Sequence, residues 1–142
     1  AGYRAGFVIG DPVLVARLRE IRKHAGMVVP WPIQQAMISA LSDDAHVAEQ
    51  RGRYNSRRDR LSPALMGVGF EIEESRAGLY IWCTRDEQDW ESISWLAELG
   101  ILATPGNFYG AKGDHHIRVA LTATDANIDE AVERLAQAGP RP

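Results

Sequence analysis

Arg118 is the residue of this sequence whose setting is best suited to chemistry, because it interrupts an alternating apolar pattern. The segment from Gly113 to Thr122 contains three apolar residues at alternate positions: Ile117, Val119 and Leu121. Such alternation predicts a β-strand with one buried face. Arg118 shares the other face with Ala120 and Thr122, which are small and leave room beside it. A guanidinium group there could bind a carboxylate or a phosphate through paired hydrogen bonds, although an ordinary surface arginine on a half-exposed sheet is the simpler interpretation.

A glycine-bounded loop with two aromatic residues precedes this strand and favours the binding interpretation. Its sequence is Thr104-Pro105-Gly106-Asn107-Phe108-Tyr109-Gly110. Loops that a sheet holds at its end often form the walls of binding sites. A second arginine, Arg4, also lies on an expected strand near glycines. The residues therefore predict a scaffold for recognising anions, with Arg4 and Arg118 as its two candidates.

The sequence favours a metal site or nucleophilic catalysis less than it favours anion recognition. His115 and His116 are adjacent, so on a strand their side chains point to opposite faces and do not readily share a metal ion. No serine occupies a glycine elbow, and Cys83 lies in an apolar strand pattern that favours packing over reactivity. The net charge of −3 argues against broad nucleic-acid binding, and the arginines of residues 51–60 are interpreted as the solvated face of a helix.

Length and composition bound the class of protein. A chain of 142 residues is long enough for one domain with a core, or for one domain and part of another. With 45% apolar and 25% charged residues it is typical of a globular protein, and no apolar run is long enough to span a bilayer. Cys83 is the single cysteine, which excludes an internal disulfide and is consistent with a reducing cytosol.

The first part of the chain is expected to form a strand and two helices. The apolar run Phe7 to Ile9 predicts a strand buried on both faces. Asp11 and Pro12 predict the start of a helix that ends at Gly26. Residues 27–32 contain two prolines and are therefore expected to form an extended loop. Residues 34–41 are expected to form a short helix.

The remainder predicts an α+β sandwich, a small antiparallel or mixed sheet with helices on one face. Ser42 is the expected N-cap of a long helix to about Met66. The order from there is αββαββα, with these expected elements: strands at 70–74 and 79–84, a helix at 91–99, a strand at 101–104, the Arg118 strand, and a helix capped by Thr124. We therefore expect two parts, residues 1–41 and residues 42–142.

Two motifs resemble those of the fold-type I, pyridoxal-phosphate-dependent aminotransferases of class I and II. The opening Ala1-Gly2-Tyr3-Arg4-Ala5-Gly6 resembles the segment that follows the Schiff-base lysine in that family. The resemblance implies that Arg4 binds the phosphate of the cofactor, pyridoxal 5'-phosphate. The loop 107–110 and the strand 117–122 resemble the family's C-terminal site, which implies that Arg118 pairs with the substrate α-carboxylate. The similarity covers essentially the whole chain in matching order.

The same resemblance implies that this is the C-terminal part of an aminotransferase. Residues 1–41 would be the tail of the large cofactor-binding domain, and residues 42–142 the small domain. The Schiff-base lysine is expected a few residues before Ala1, and neither Lys23 nor Lys112 can replace it, so no catalytic residue is assigned and the chain alone is expected to be inactive. The full enzyme is expected to be a homodimer, and residues 27–32 either reach the neighbouring subunit's site or form a loop stiffened by proline.

Three stretches are most similar to the succinyldiaminopimelate aminotransferases of bacterial lysine biosynthesis. They are residues 22–27, 77–82 and 119–125. This similarity implies an enzyme that passes an amino group from glutamate to N-succinyl-2-amino-6-ketopimelate. Composition and charge favour a cytoplasmic protein with no nucleic-acid or membrane partner. The alternative is a non-catalytic α+β module that uses Arg118 and the aromatic loop to bind a carboxylate ligand or a protein partner.

Overall fold

Residues 3–140 are described by a computed structural model of the chain, so Ala1 and Gly2 of the expected phosphate motif lie outside the description. The chain divides into two units, residues 1–47 and residues 48–142. No helix within residues 3–140 is both long enough and apolar enough to cross a bilayer.

Two helices form the first unit: α1 (Pro12–His24) and α2 (Trp31–Leu41). The predicted cap of α1 is confirmed, because Asp11 Oδ1 accepts hydrogen bonds from the backbone N–H groups of Val13 and Leu14 at 2.9 and 3.0 Å. Such a cap satisfies donors that the first turn of a helix leaves without partners. The basic last turn and the glycine that follows it, Gly26 at φ 72°, are also as predicted.

Two predictions for this unit are wrong. Residues 4–9 do not form a strand, because a strand needs a neighbour to share its hydrogen bonds and residues 3–47 contain no other strand to pair with. Helix α2 begins at Trp31 rather than Gln34. Pro32 is accommodated in its first turn, where the missing N–H would have had no partner within the helix. The extended loop is therefore limited to residues 27–30.

Helix α3 (Asp44–Gly67) begins with a cap other than the predicted one. The carboxylate of Asp43 accepts a hydrogen bond from Ala45 N at 2.9 Å, and this bond is the main cause of a lowered pKa for Asp43. Ser42 Oγ instead donates back to Ile38 O at 2.9 Å, at the end of α2. An aspartate one residue later therefore replaces Ser42 as the capping residue.

The second unit contains the predicted sheet, although the strand expected at residues 101–104 lies at Thr104–Pro105. Its four strands are β1 (Glu71–Glu73), β2 (Tyr80–Thr84), β3 (Thr104–Pro105) and β4 (His116–Ala120). They lie in the order β1-β2-β4-β3, and every adjacent pair is antiparallel. Helices α4 (Asp89–Glu98) and α5 (Asp125–Ala138) complete the order αββαββα from α3 onward, as predicted. Two short 3-10 helices, Gly106–Tyr109 and Ala111–Gly113, lie between β3 and β4.

One face of the sheet carries the core. Ile81 and Cys83 of β2 and Ile117 and Val119 of β4 are at most 5% exposed, and they pack with apolar residues of the helices: Leu61, Leu65, Leu96, Ile128 and Leu135. The burial of alternate residues confirms the alternation predicted for the Arg118 strand. Because the helices cover this face, the side chains between the buried positions project from the other, which is called the outer face below.

The arginine-rich part of α3 is not the fully solvated face that the sequence predicts. Arg57 and Arg58 are each 8% exposed. Arg57 Nη1 donates to Leu121 O at 2.9 Å, and Arg58 Nη2 donates to Gly78 O at 2.6 Å. Both guanidinium groups thus bind backbone carbonyls, one just after a strand and one in the hairpin turn, so part of the basic face serves to fix the fold.

Candidate functional site

Arg118 lies at the centre of the outer face of the sheet. It pairs across the strands with Trp82 of β2 on one side and with Thr104 of β3 on the other, and Trp82 in turn pairs with Glu73 of β1. Residues directly opposite one another on neighbouring strands project from the same face. Glu73, Trp82, Arg118 and Thr104 therefore form one row across the sheet.

Two tyrosine rings flank the guanidinium group of Arg118. Its Cζ atom lies 4.1 Å from the ring centroid of Tyr80 and 5.3 Å from that of Tyr109. Tyr80 pairs with Ala120, two residues along β4, so it reaches the arginine as a diagonal neighbour. Cations at these distances are attracted to the faces of aromatic rings. The rings thus hold the guanidinium group in place without using its N–H groups, which can still donate hydrogen bonds.

The hydrogen bonds of Arg118 are incomplete. Its Nη2 atom donates to Thr104 Oγ1 at 3.2 Å, whereas its Nε atom is buried and has no hydrogen-bond partner in the described part of the chain. A buried donor without an acceptor costs about 1–3 kcal/mol. A bound carboxylate would supply the missing acceptor, and the planar guanidinium group suits its two oxygens. The residues present therefore fit the carboxylate-binding role predicted for Arg118.

A groove of about 400 Å³ opens beside Arg118 on the outer face, and its size suits a small metabolite. Its walls come from β1, the β1–β2 turn, β2 and the loop before β4: Glu73, Glu74, Ser75, Ala77, Tyr80, Trp82 and Tyr109. The small neighbours predicted along β4 are present, but aromatic residues of β2 and of the loop before β4 shape the space beside Arg118.

Trp82 connects the groove to His116, but not to the neighbouring His115. Its ring stacks on the ring of His116 at 5.2 Å and meets the ring of Tyr109 edge-on at 5.8 Å. His116 Nε2 lies 3.2 Å from Glu73 Oε2, while His115 Nε2 lies 3.4 Å from Gln88 Nε2. The adjacent histidines therefore have separate surroundings, and residues 3–140 contain no group of three potential metal ligands.

The site loop, residues 106–113, approaches Arg118 as predicted and is unusually tight. A Cβ atom added to Gly106 would lie 2.5 Å from His116 O and would also clash with Gly113 O. Asp89 Oδ2 accepts a hydrogen bond from Asn107 N at 2.9 Å, which fastens the loop to the start of α4. Glycine is therefore required where the two ends of this loop meet.

Some residues of the site were not singled out from the sequence. Tyr80 and Trp82 could have been found, because they alternate with the apolar residues Ile81 and Cys83, which already predicts that they point outward. Thr104 and Asp89 carried no such signal, since their roles depend on which strands are neighbours and on how the site loop folds.

Arg4 lies in the first unit and has different surroundings. It is exposed and adopts φ 54°, which is uncommon for a residue with a side chain. It lines a cavity of about 550 Å³ with mostly apolar residues: Tyr3, Ala5, Gly6, Ile33, Ala36, Met37 and Ala40. Its predicted role in binding a phosphate group remains a prediction.

The remaining candidates for chemistry are Lys23, Lys112 and Cys83. Lys23 lies in the last turn of α1, 3.5 Å from Glu20 Oε2, and Lys112 lies in the second 3-10 helix. Cys83 is fully buried, and burial raises the pKa of its thiol to about 12. The thiolate is the reactive form, so Cys83 belongs to the core, as predicted.

Comparisons with known proteins agree on one family. A sequence model described as aminotransferase class I and II matches residues 1–135. A probable aminotransferase of Mycobacterium tuberculosis is 58% identical over 135 residues, and the 4-dedimethylamino-4-oxo-anhydrotetracycline transaminase of Streptomyces rimosus is 54% identical over 135 residues. Each alignment covers 95% of this chain but 32% and 38% of the respective relative, so the chain spans about a third of the length of these curated relatives.

A more distant relative and two solved structures extend this result. The LL-diaminopimelate aminotransferase of Nitratidesulfovibrio vulgaris is 36% identical over 141 residues, covering 96% of this chain and 36% of that protein. N-Succinyldiaminopimelate aminotransferase from M. tuberculosis superposes with a TM-score of 0.80 at 28% identity, covering 96% of this chain and 38% of that one. An aminotransferase from Neisseria meningitidis gives a TM-score of 0.81 at 30% identity, covering 97% and 37%.

Proposed function

Because the chain belongs to the class I and II aminotransferases, a family that depends on pyridoxal 5'-phosphate, we propose that its full-length enzyme transfers an amino group between an amino acid and a keto acid. In this proposal Arg118 binds the α-carboxylate that both substrates carry. The observation that supports it most strongly is the buried Nε atom of Arg118, which lacks an acceptor beside a groove of metabolite size.

The chain's own residues would bind and orient the substrate. Arg118 holds the carboxylate, Thr104 fixes the guanidinium group through Nη2, and the rings of Tyr80 and Tyr109 hold it on either side. Fixing one end of the substrate lowers the entropy cost of bringing its α-carbon to the reacting position. The cofactor, when bound, supplies the electron sink that the chemistry requires. Arg4 is proposed to bind its phosphate group, on the resemblance of the motif around it.

The proton transfers of the reaction require a lysine that the family resemblance locates before Ala1. Lys23 and Lys112 lie in settings that do not match that motif. We therefore propose that residues 1–142 contribute the carboxylate-binding half of the site and do not transaminate alone. The alternative of a non-catalytic carboxylate-binding module would be supported if the full-length protein bound amino acids without turning them over.

For the substrates we propose glutamate as donor and N-succinyl-2-amino-6-ketopimelate as acceptor. The similarity to the M. tuberculosis N-succinyldiaminopimelate aminotransferase and to the LL-diaminopimelate aminotransferase supports an amino-dicarboxylic substrate. The relative named for 4-dedimethylamino-4-oxo-anhydrotetracycline has a higher identity, 54%, and makes that ketone the second candidate acceptor.

The substrate proposal can be tested by offering the full-length enzyme glutamate with each acceptor separately and measuring 2-oxoglutarate. LL-Diaminopimelate as donor with 2-oxoglutarate as acceptor, followed by the glutamate that forms, completes the panel. The proposal predicts the highest kcat/KM with the succinylated acceptor. If kcat/KM were higher with the tetracycline ketone or with LL-diaminopimelate, that compound would become the proposed substrate instead of the succinylated acceptor. The absence of transfer in every combination would contradict the aminotransferase proposal.

We further propose that the full-length enzyme is a cytoplasmic homodimer. The free thiol of Cys83 is consistent with a reducing compartment, and the dimer is an implication of the family resemblance. In that dimer residues 27–30 are the candidates for contact with the neighbouring subunit's site. Sedimentation velocity of the full-length enzyme tests the assembly, and a monomeric active enzyme would contradict it.

A further inference from the structure

We propose that Asp89 is a positioning residue for the substrate-binding arginine, acting through the site loop and Tyr109. This inference rests on the proposed role of Arg118 in binding a carboxylate. It concerns a residue outside the groove that does not touch Arg118.

Asp89 is a buried carboxylate whose hydrogen bonds are directed to the backbone. It is the first residue of α4 and is 2% exposed. Its Oδ1 atom accepts from Trp90 N at 2.8 Å and its Oδ2 atom accepts from Asn107 N at 2.9 Å. Its own N–H donates to Asp114 O at 2.8 Å. Burying a charged group is unfavourable unless it is well hydrogen-bonded, so this arrangement strongly favours one geometry.

These bonds fix both ends of the site loop to the same point. Asn107 lies in the first 3-10 helix and Asp114 follows the second. At the two ends of the loop the backbones of Gly106 and Gly113 pack together so closely that neither residue has room for a Cβ atom. A displacement at Asn107 is therefore expected to move the loop as a unit.

Tyr109 transmits the position of the loop to Arg118. It lies two residues after Asn107, and its ring is 5.3 Å from the guanidinium group and 5.8 Å from the ring of Trp82. The neighbouring Phe108 meets the ring of Trp90 edge-on at 6.2 Å. The first two residues of α4 thus hold the loop in two ways: Asp89 by hydrogen bonds and Trp90 by ring contact.

The experiment uses Asp89→Asn in the full-length enzyme, with KM and kcat measured for the amino donor and the keto acceptor. The amide has the shape of the carboxylate but presents an N–H₂ group to one of the two backbone donors. We expect KM to rise about tenfold for both substrates while kcat changes less, since a small displacement of a binding group reduces effective positioning. Asp89→Ser keeps a short acceptor for Trp90 N but cannot reach Asn107, and it should give the same result if Asp89→Asn does not fold.

A double-mutant cycle separates positioning from general destabilisation. If Asp89 acts through Tyr109, adding Asp89→Asn to Tyr109→Ala should leave KM at the value of Tyr109→Ala alone. Asp125→Asn is the matched control, because Asp125 is also a hydrogen-bonded carboxylate in the first turn of a helix but does not contact the site loop. It should lower the melting temperature, leave KM unchanged, and be additive with Tyr109→Ala.

Two results would overturn the inference: an unchanged KM in both Asp89 variants, or effects of Asp89→Asn and Tyr109→Ala on KM that are simply additive. Either result could occur while Arg118→Lys still raised KM. In that case the positioning role of Asp89 would be disproved and the proposed function would stand. If Arg118→Lys itself left KM unchanged, the proposed function would fail first.

Discussion

Arg118 can act as a binding group because each part of its guanidinium group has a different environment. The tyrosine rings fix its plane, Thr104 accepts from Nη2, and Nε has no partner within the described residues. The sequence predicted the strand and the face of Arg118, and both are observed, whereas its carboxylate-binding role stays a prediction. It could not predict that Thr104 would lie opposite, because the pairing of β3 with β4 depends on the fold of the long loop between them.

Thr104→Val tests the hydrogen bond to Nη2. Valine keeps the shape and the strand preference of threonine but removes the acceptor. We expect KM for both substrates of the full-length enzyme to rise about three- to tenfold, as for the loss of one ordinary hydrogen bond. Thr122→Val, at an exposed position just after β4, is the control and should leave KM unchanged. Equal effects of the two substitutions would show that Thr104 does not fix the arginine.

At the scale of elements, local patterns predicted most of the second unit. The alternation in β2 and β4, the cap at Thr124 and the stop at Gly100 are all observed, because each is determined within a few residues. Among the predictions that failed is the strand at residues 4–9, since pairing cannot be inferred from an apolar run alone. The buried state of Arg57 was also missed, because its partners Leu121 and Asp125 are distant in sequence.

Gly106→Ala tests the tight closure of the site loop. The added methyl group would clash with backbone atoms of Gly113 and His116, so the loop must open. We expect a loss of about 1–3 kcal/mol in the free energy of unfolding, together with a higher KM in the full-length enzyme. Gly52→Ala is the matched control, because Gly52 lies within α3 with nothing near its Cβ position. It should stabilise the protein by about 0.5–1 kcal/mol and leave KM unchanged. A Gly106 variant that behaved like the Gly52 variant would contradict the close packing.

The ion pair between α3 and α5 predicts a pH dependence of stability. A hydrogen bond from Arg57 at 2.7 Å lowers the pKa of Asp125 below its ordinary value. Because the folded state favours the charged form, Asp125 stabilises the fold fully above about pH 4, the ordinary pKa of an aspartate. This contribution is lost as the pH falls through the lowered pKa.

Urea unfolding of the wild-type protein and of Asp125→Asn tests this dependence. The wild type should have the higher free energy of unfolding at neutral pH, and the difference should shrink in strong acid, where the carboxyl group is protonated. A difference that did not change with pH would mean that the charge of Asp125 does not stabilise the fold.

At the scale of the whole molecule, the two units differ in how much apolar surface they bury. The second has a full core, whereas Phe7, Ile9 and Trp31 of the first are 61%, 86% and 67% exposed. The sequence predicted two parts with a boundary at residues 41 and 42, and the units of the structure meet at residues 47 and 48.

Removing the first unit tests this difference. Residues 44–142 retain all of α3 and the whole core, so they should unfold cooperatively with a melting temperature close to that of residues 1–142. They should also bind less of a dye that fluoresces on apolar surfaces and should aggregate less. Failure of residues 44–142 to fold, or stronger dye binding than by residues 1–142, would show that the first unit is needed to complete the core.

We propose above all that Arg118 binds the carboxylate shared by both substrates. Steady-state kinetics of Arg118→Lys in the full-length enzyme test this role most directly. Lysine keeps the positive charge but loses the planar pair of donors, so the effect reports geometry rather than charge. We expect kcat/KM to fall by about two orders of magnitude for the amino donor and the keto acceptor alike, mainly through KM. A fall confined to one of the two substrates, or kinetics equal to those of the wild type, would contradict the claim.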